Sequence, residues 1–266
     1  MAPKELGGVT VKIGIIGTGV IATAIVTGFC TKKTGHEFFL SPRNASTAST
    51  LAATFSEAKV CASNQDVLDK ADWVFICLQK ASFGVLQELS FKKQHKVINI
   101  AAEMRLPILR ETIGETALLA HVIPLPVITE GYGPILVYPE IKEVGDLFAP
   151  VGTVHFAKTQ SDVHTLQIVT GIMSPYNMLL SEIVKYSDDQ GIDHDVSVGF
   201  LCSLFNSLCT RASNIKNCDL VELANEMTPG GYNEQSMNEL MNNGSIKAWR
   251  TALNNLHERL NNSGKE

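Results

Sequence analysis

The residues best suited to chemistry begin at Ile13-Gly14-Ile15-Ile16-Gly17-Thr18-Gly19-Val20-Ile21-Ala22, an apolar strand-like run passing through a glycine turn into an apolar helix. That order suits the diphosphate of a dinucleotide. Gly17 permits the tight turn, Gly19 places no Cβ between backbone and phosphate, and the small Ala22 lets the helix lie close on the strand. The backbone at Thr18, Gly19, Val20 and Ile21 then opens the helix, so that orphan amides and the positive end of the helix dipole face the anion. The alternative is a plain tight turn, because this spacing also occurs without a ligand.

Two further clusters bear on the same chemistry. At the end of the second apolar run stands Ser41-Pro42-Arg43-Asn44, where a site built for an unphosphorylated ribose would carry Asp or Glu. The hydroxyl of Ser41 and the guanidinium of Arg43 suit a 2′-phosphate, which predicts NADP(H); an ordinary polar turn is the alternative. Far along the chain, Thr228-Pro229-Gly230-Gly231 precedes a helical segment. Pro229 fixes φ at the helix start, and two consecutive glycines leave their amides unblocked. With the Thr228 hydroxyl beside them, such a nest binds a carboxylate, unless it is only a helix cap on a flexible turn.

These clusters need elements to hold them. Short apolar runs at Val11–Ile16, Glu37–Leu40, Lys59–Cys61, Trp73–Leu78, Lys96–Ile100 and Leu118–Ile123 alternate with helix candidates at Ile21–Phe29, Ser46–Phe55, Gln65–Leu68, Val85–Glu88 and Pro107–Ile113. The alternation predicts an α/β fold with a Rossmann-type, doubly wound parallel sheet. Gly133–Tyr138 and Thr153–Phe156, joined by a short helix, extend it at one edge, the first as an antiparallel strand. From Ser161 onward only helical segments recur: Asp162–Val169, Tyr176–Asp189, Asp195–Asn214, Cys218–Asn225, Tyr232–Asn242 and Ser245–Asn261. The expected domains are residues 1–157, binding the dinucleotide, and 158–266, all-α, for substrate binding and dimerisation. Gly191 is the expected C-cap of the second of these helices and Asp195 the expected N-cap of the third. That helix carries Val196, Val198, Phe200, Leu201, Leu204, Phe205 and Leu208 and is expected to be largely buried, part of it against a second chain.

Composition narrows the partners. The chain has 266 residues, 45% of them apolar, and a formal net charge of −5. Too few clustered cations are present for a nucleic-acid surface, and Lys92-Lys93-Gln94-His95-Lys96 reads as a solvated loop. Met1–Thr10 lacks an apolar signal core and no stretch of 18 apolar residues occurs, which predicts a soluble, cytoplasmic protein. Six cysteines (Cys30, Cys61, Cys77, Cys202, Cys209, Cys218) are scattered in apolar segments without metal spacing. They are expected as free thiols, with Cys202 and Cys209 packed as small hydrophobes, and no metal site is expected. The tail from Asn261 to Glu266 reads as frayed.

From Lys12 to about Leu260 the chain resembles the pyrroline-5-carboxylate reductases. The similar segments are the glycine turn, Ile98-Asn99-Ile100-Ala101-Ala102, the Pro126–Gly131 segment, Leu147-Phe148-Ala149-Pro150-Val151-Gly152, Ser174-Pro175-Tyr176 and above all Thr228-Pro229-Gly230-Gly231. The resemblance implies NADPH-dependent reduction of a cyclic imine to proline in a homodimer or higher homo-oligomer. It also implies a cofactor lined by Asn64, Leu78, Gln79, Ala101 and Ala102. The substrate acid would lie on Thr228, Pro229, Gly230 and Gly231, with Thr228 and Asn233 at the reacting group. Because a protonated imine already attracts hydride, positioning suffices and no strong general base is required. The departures cluster at the expected site: Leu78-Gln79-Lys80 replaces Val-Lys-Pro, Glu103 replaces glycine, Pro124-Leu125-Pro126 shortens Pro-Asn-Thr-Pro, Met173 falls in a Gly-Ser-Gly-Pro-Ala segment, and Asn233 replaces threonine. They admit two alternatives: an NADP-dependent reductase of another imine or carbonyl compound, or an inactive NADP-binding regulatory dimer.

Overall fold

The structure, a computed structural model, describes residues 10–263. The expectations for Met1–Val9 and Gly264–Glu266 lie outside the described residues. The chain divides into two compact units, the first ending at His164 and the second starting at Thr165.

The first unit is built on an eight-stranded sheet of order β3-β2-β1-β4-β5-β6-β7-β8. In chain order its strands are β1 (Lys12–Ile16), β2 (Glu37–Leu40), β3 (Ala58–Val60), β4 (Trp73–Ile76), β5 (Lys96–Asn99), β6 (Leu118–Pro124), β7 (Pro134–Tyr138) and β8 (Thr153–Phe156). The first six run parallel, β7 is antiparallel to β6 with Val122 opposite Val137, and β8 is parallel to β7. This is the expected doubly wound sheet with its two-strand extension. Helices cover both faces, so β1, β4 and β5 are near-continuous apolar runs rather than alternating ones. They are α1 (Val20–Thr31), α2 (Ala45–Thr54), α3 (Asn64–Lys70), α4 (Leu106–Ile113), α5 (Lys142–Phe148) and α6 (Gln160–Val169), the last crossing the unit boundary. Ile13, Phe29, Phe38, Phe75 and Phe148 fill one face, and Val74, Ile76, Val97, Leu68 and Leu109 fill the other. Phe29 packs edge-on against Phe38 and Phe148, and Phe148 stacks on Phe75 at 5.5 Å.

Several local expectations shift. The helix expected at Val85–Glu88 is a longer 3-10 segment, Lys80–Glu88, with Gly84 inside it. β3 begins one residue earlier than expected. The run around His95 is not simply solvated. The His95 ring is buried, with Nε2 3.0 Å from the Leu68 carbonyl and Nδ1 accepting from the Lys92 amide, while Lys92 and Lys93 pair with Asp69 and Glu115.

The second unit is helical: α7 (Met173–Asp189), α8 (His194–Asn214), α9 (Leu220–Ala224), α10 (Tyr232–Asn242) and α11 (Ser245–Ser263). Gly191 follows α7 at φ +83°, the left-handed turn expected of it. The N-cap of α8 is Asp193 rather than Asp195; its carboxylate accepts from the amides of Asp195 and Val196. Asp219 likewise caps α9, which is shorter than expected at both ends. The helix α11 continues two residues past Asn261.

The largest correction concerns α8. Only Ser197 and Leu201 are buried, whereas Val196, Val198, Phe200, Leu204 and Leu208 are exposed, Phe200 at 71%. Cys202 and Cys209 are exposed too, not packed. Within the unit α8 packs chiefly on α7, and one neighbour covers one strip of a helix that is apolar round most of its circumference. Among the described residues, no helix is long and apolar enough to cross a membrane.

Candidate functional site

The sheet reverses its winding direction at β1, which is flanked by β2 on one side and β4 on the other. In such sheets a ligand crevice opens beyond the carboxyl ends of these central strands. The turn Gly17-Thr18-Gly19 lies there. Gly17 sits at φ +98°, and a Cβ on it would fall 2.7 Å from the Cys77 carbonyl oxygen. Gly19 is the N-cap of α1, a Cβ on it would meet nothing within 4 Å, and among the described residues no side chain caps the helix. Val20 is exposed, Ile21 is half-buried, and Ala22 is fully buried against the sheet. An uncapped helix start with an open glycine beside it fits a diphosphate: the amides are free to donate, and the dipole favours the negative charge.

A network fixes the adjoining loop after β2. Asn44 accepts from the Thr47 amide, capping α2, and its Nδ2 donates to the Thr18 carbonyl at 3.1 Å. The Thr18 hydroxyl is buried and donates to the Ser41 carbonyl. Ser41 is buried as well, and its hydroxyl donates to Asn64 Oδ1 at 2.7 Å. Hence Ser41 does not offer its hydroxyl to a ligand as expected; with Asn64 it anchors the loop. The remaining group is Arg43, exposed, whose Nη1 donates to Ser82 Oγ at 2.9 Å. Ser82, in the 3-10 segment after β4, is a residue that sequence reasoning missed, since nothing local marks a partner 39 positions away.

Beyond β4 and β5 lie the other expected cofactor residues. Leu78 is half-buried, Gln79 and Ala102 are exposed, and Ala101 is buried. Asn99 holds this loop: its Nδ2 donates to the Met104 carbonyl and its Oδ1 accepts from the Ala101 amide. Glu103 is exposed. His121, on β6, lies level with Asn99 of β5 and with Tyr138 of β7. It is 2% exposed, and neither ring nitrogen has a hydrogen-bond partner among the described residues. Burial lowers its pKa from the ordinary 6.5 to about 4.

That depression fixes a pH dependence of stability. Above pH 6.5 the ring is neutral in folded and unfolded chains alike. As pH falls from 6.5 towards 4, the unfolded chain takes up a proton that the native one refuses, so stability falls and then levels off. The loss is expected to reach about 3 kcal/mol at pH 4. Denaturant unfolding at several pH values should show this slope, and His121→Leu should remove it; a slope of the same size in the variant would assign it to other groups.

The free thiols follow the same rule. Burial pushes Cys30 up to about 12 and Cys61 up to about 11, so neither is a ready nucleophile at neutral pH. Among the described residues no group of His, Cys, Asp or Glu is arranged to hold a metal ion.

In the second unit Thr228, Pro229 and Gly230 are exposed and lead into α10, whose N-cap is Gly231. The turn lies open, as a binding segment must. Its two glycine amides, however, are not both free. The Gly231 amide donates back to the Thr228 carbonyl at 2.9 Å, and the Gly230 amide donates to Glu234 Oε2 at 2.6 Å. The signal was present: an acid three residues after a helix N-cap tends to reach back to the amides before it. No side chain caps the first turn of α10, and Asn233, in that turn, is exposed.

Residues 12–103 match the family described as NADP oxidoreductase, coenzyme F420-dependent. No curated protein matches the chain. Among solved structures, the pyrroline-5-carboxylate reductase of Streptococcus pyogenes is similar with a TM-score of 0.79 at 21% identity, covering 94% of this chain and 98% of that one. The pyrroline carboxylate reductase of Plasmodium falciparum, solved with NADP bound, is similar with a TM-score of 0.77 at 16% identity, covering 94% and 97%. A reductive aminase of Aspergillus terreus, in complex with NADPH and ethyl levulinate, is similar with a TM-score of 0.53 at 18% identity over 76% and 75%. The chain therefore has the fold of the pyrroline-5-carboxylate reductases, a Rossmann-type unit followed by a helical one.

Proposed function

We propose that the protein is a divergent pyrroline-5-carboxylate reductase, an NADPH-dependent enzyme that reduces the C=N bond of a cyclic imine. The observation that carries this reading is the uncapped start of α1 at the open Gly17–Gly19 turn, with the exposed guanidinium of Arg43 on the loop after the next strand. The first fits a diphosphate and the second a 2′-phosphate. Bound NADPH would supply the hydride. The chain's own task is then to place the acceptor, with Thr228 and the first-turn amides of α10 holding a substrate acid and the Asn233 side chain offering a donor and an acceptor to the nitrogen. Leu78, Gln79, Ala101 and Ala102 would border the cofactor, and Pro229, Gly230 and Gly231 would shape the acid's seat. The occupied Gly230 amide favours a second reading in which the preferred imine lacks an acid group.

The test is NADPH oxidation with pyrroline-5-carboxylate. Turnover is expected, and Thr228→Ala should raise KM about tenfold with little change in kcat, because an interaction common to ground and transition states is removed. Cofactor binding without turnover on any imine would overturn the assignment.

The exposed apolar face of α8 supports a homodimer through the helical unit. A contiguous apolar surface of that kind marks an interaction face in a water-exposed protein. Light scattering should give twice the chain mass or a higher even multiple; a monomeric mass at micromolar concentration would refute the interface.

A further inference from the structure

Glu234 lies in the first turn of α10, at the third helical position, half-buried, with its carboxylate on the Gly230 amide at 2.6 Å. Gln235 holds the same residue from its other side, Nε2 donating to the Gly230 carbonyl at 2.9 Å. The second glycine amide is spent on the Thr228 carbonyl. Thus both glycine amides of the turn are taken, one of them by a carboxylate of the chain's own, and a substrate's acid is left the first-turn amides of α10 beside that charge.

An amide has a single hydrogen to give, and two carboxylates brought to it repel each other at contact distance. We propose that Glu234 is the specificity residue of this turn: its carboxylate stands beside the seat of a substrate's acid group, so that an acid-bearing imine must displace it or bind against its charge, while an imine without an acid group need not. The inference rests on reading Thr228–Gly231 as the substrate segment, and it deepens that reading by naming what sets the balance between substrate classes.

The experiment compares pyrroline-5-carboxylate with 1-pyrroline, the same ring without the acid, by NADPH oxidation in wild type, Glu234→Gln and Glu234→Ala. Gln keeps an acceptor for the Gly230 amide and removes the charge, whereas Ala removes both, so the pair separates repulsion from occupancy. The ratio of kcat/KM for the acid over the neutral ring should rise about tenfold in Glu234→Gln and at least as far in Glu234→Ala. A ratio within twofold of wild type in both variants, in an enzyme that reduces either ring, overturns the role of Glu234 alone. If neither ring oxidises NADPH in any of the three proteins, the substrate reading fails and this inference falls with it.

Discussion

Gly17→Val is expected to lower NADPH affinity about a hundredfold or more, the largest effect of any single substitution in the first unit. The backbone there is at φ +98°, a conformation that costs a β-branched residue heavily, and the new Cβ would meet the Cys77 carbonyl oxygen at 2.7 Å and Leu78 Cδ2 at 2.9 Å. The Leu78 side chain can turn aside, but the Cys77 carbonyl cannot retreat cheaply, since Cys77 continues the ladder of β4, its amide bonded to the Ile16 carbonyl. The turn must therefore move, and the amides at the start of α1 move with it. A matched control is Gly114→Ala. Gly114 has φ +77° with nothing within 4 Å, and it lies between α4 and β6, at the opposite ends of the strands. It shares the backbone strain and leaves the turn alone, so it should lower stability and keep NADPH affinity. Titration by nucleotide fluorescence decides the matter; full affinity in Gly17→Val would remove this turn from the cofactor site.

Arg43→Ala is expected to weaken NADPH about thirtyfold while changing NADH less than threefold, since charge-assisted hydrogen bonds to a phosphate are among the strong ones and NADH has no 2′-phosphate to receive them. Arg43 is exposed, and among the described residues its guanidinium is engaged by the neutral Ser82 hydroxyl alone, so donors remain for an anion. Lysine at this position should restore part of the discrimination, because it keeps the charge and loses the planar fork. Equal losses for the two nucleotides would show Arg43 to be a loop strut rather than a phosphate ligand.

The parts of this molecule that depend on a few neighbouring residues were legible before any fold was known. Apolar runs of three to six residues marked the strands, because a sheet covered on both faces accepts little else. The glycine turn announced itself, because the positive φ at Gly17 and the open space at Gly19 are demands on single positions. The absence of an acid after β2, with Arg43 in its place, is what raised the expectation of a 2′-phosphate. Even Glu234 on the Gly230 amide obeys a local spacing rule, and was overlooked because the same glycines were read only as open donors.

Other features depend on which distant segments the topology brings together. Ser41 looked like a phosphate ligand until β2 and α3 came side by side and its hydroxyl met Asn64. Arg43 found Ser82 across 39 residues of chain. His121, an unremarkable residue in a strand pattern, becomes a buried base only because β5 and β7 flank it. For α8 the apolar sequence argued burial, yet burial is decided by how many neighbours a helix has. The elements, their order and the conformation of the glycine turn followed from the residues alone, since backbone conformation and hydrophobic period are local properties. The tertiary structure alone decided which polar groups remain free to meet a ligand, because a side chain's partners are set by contacts that separation along the chain does not encode.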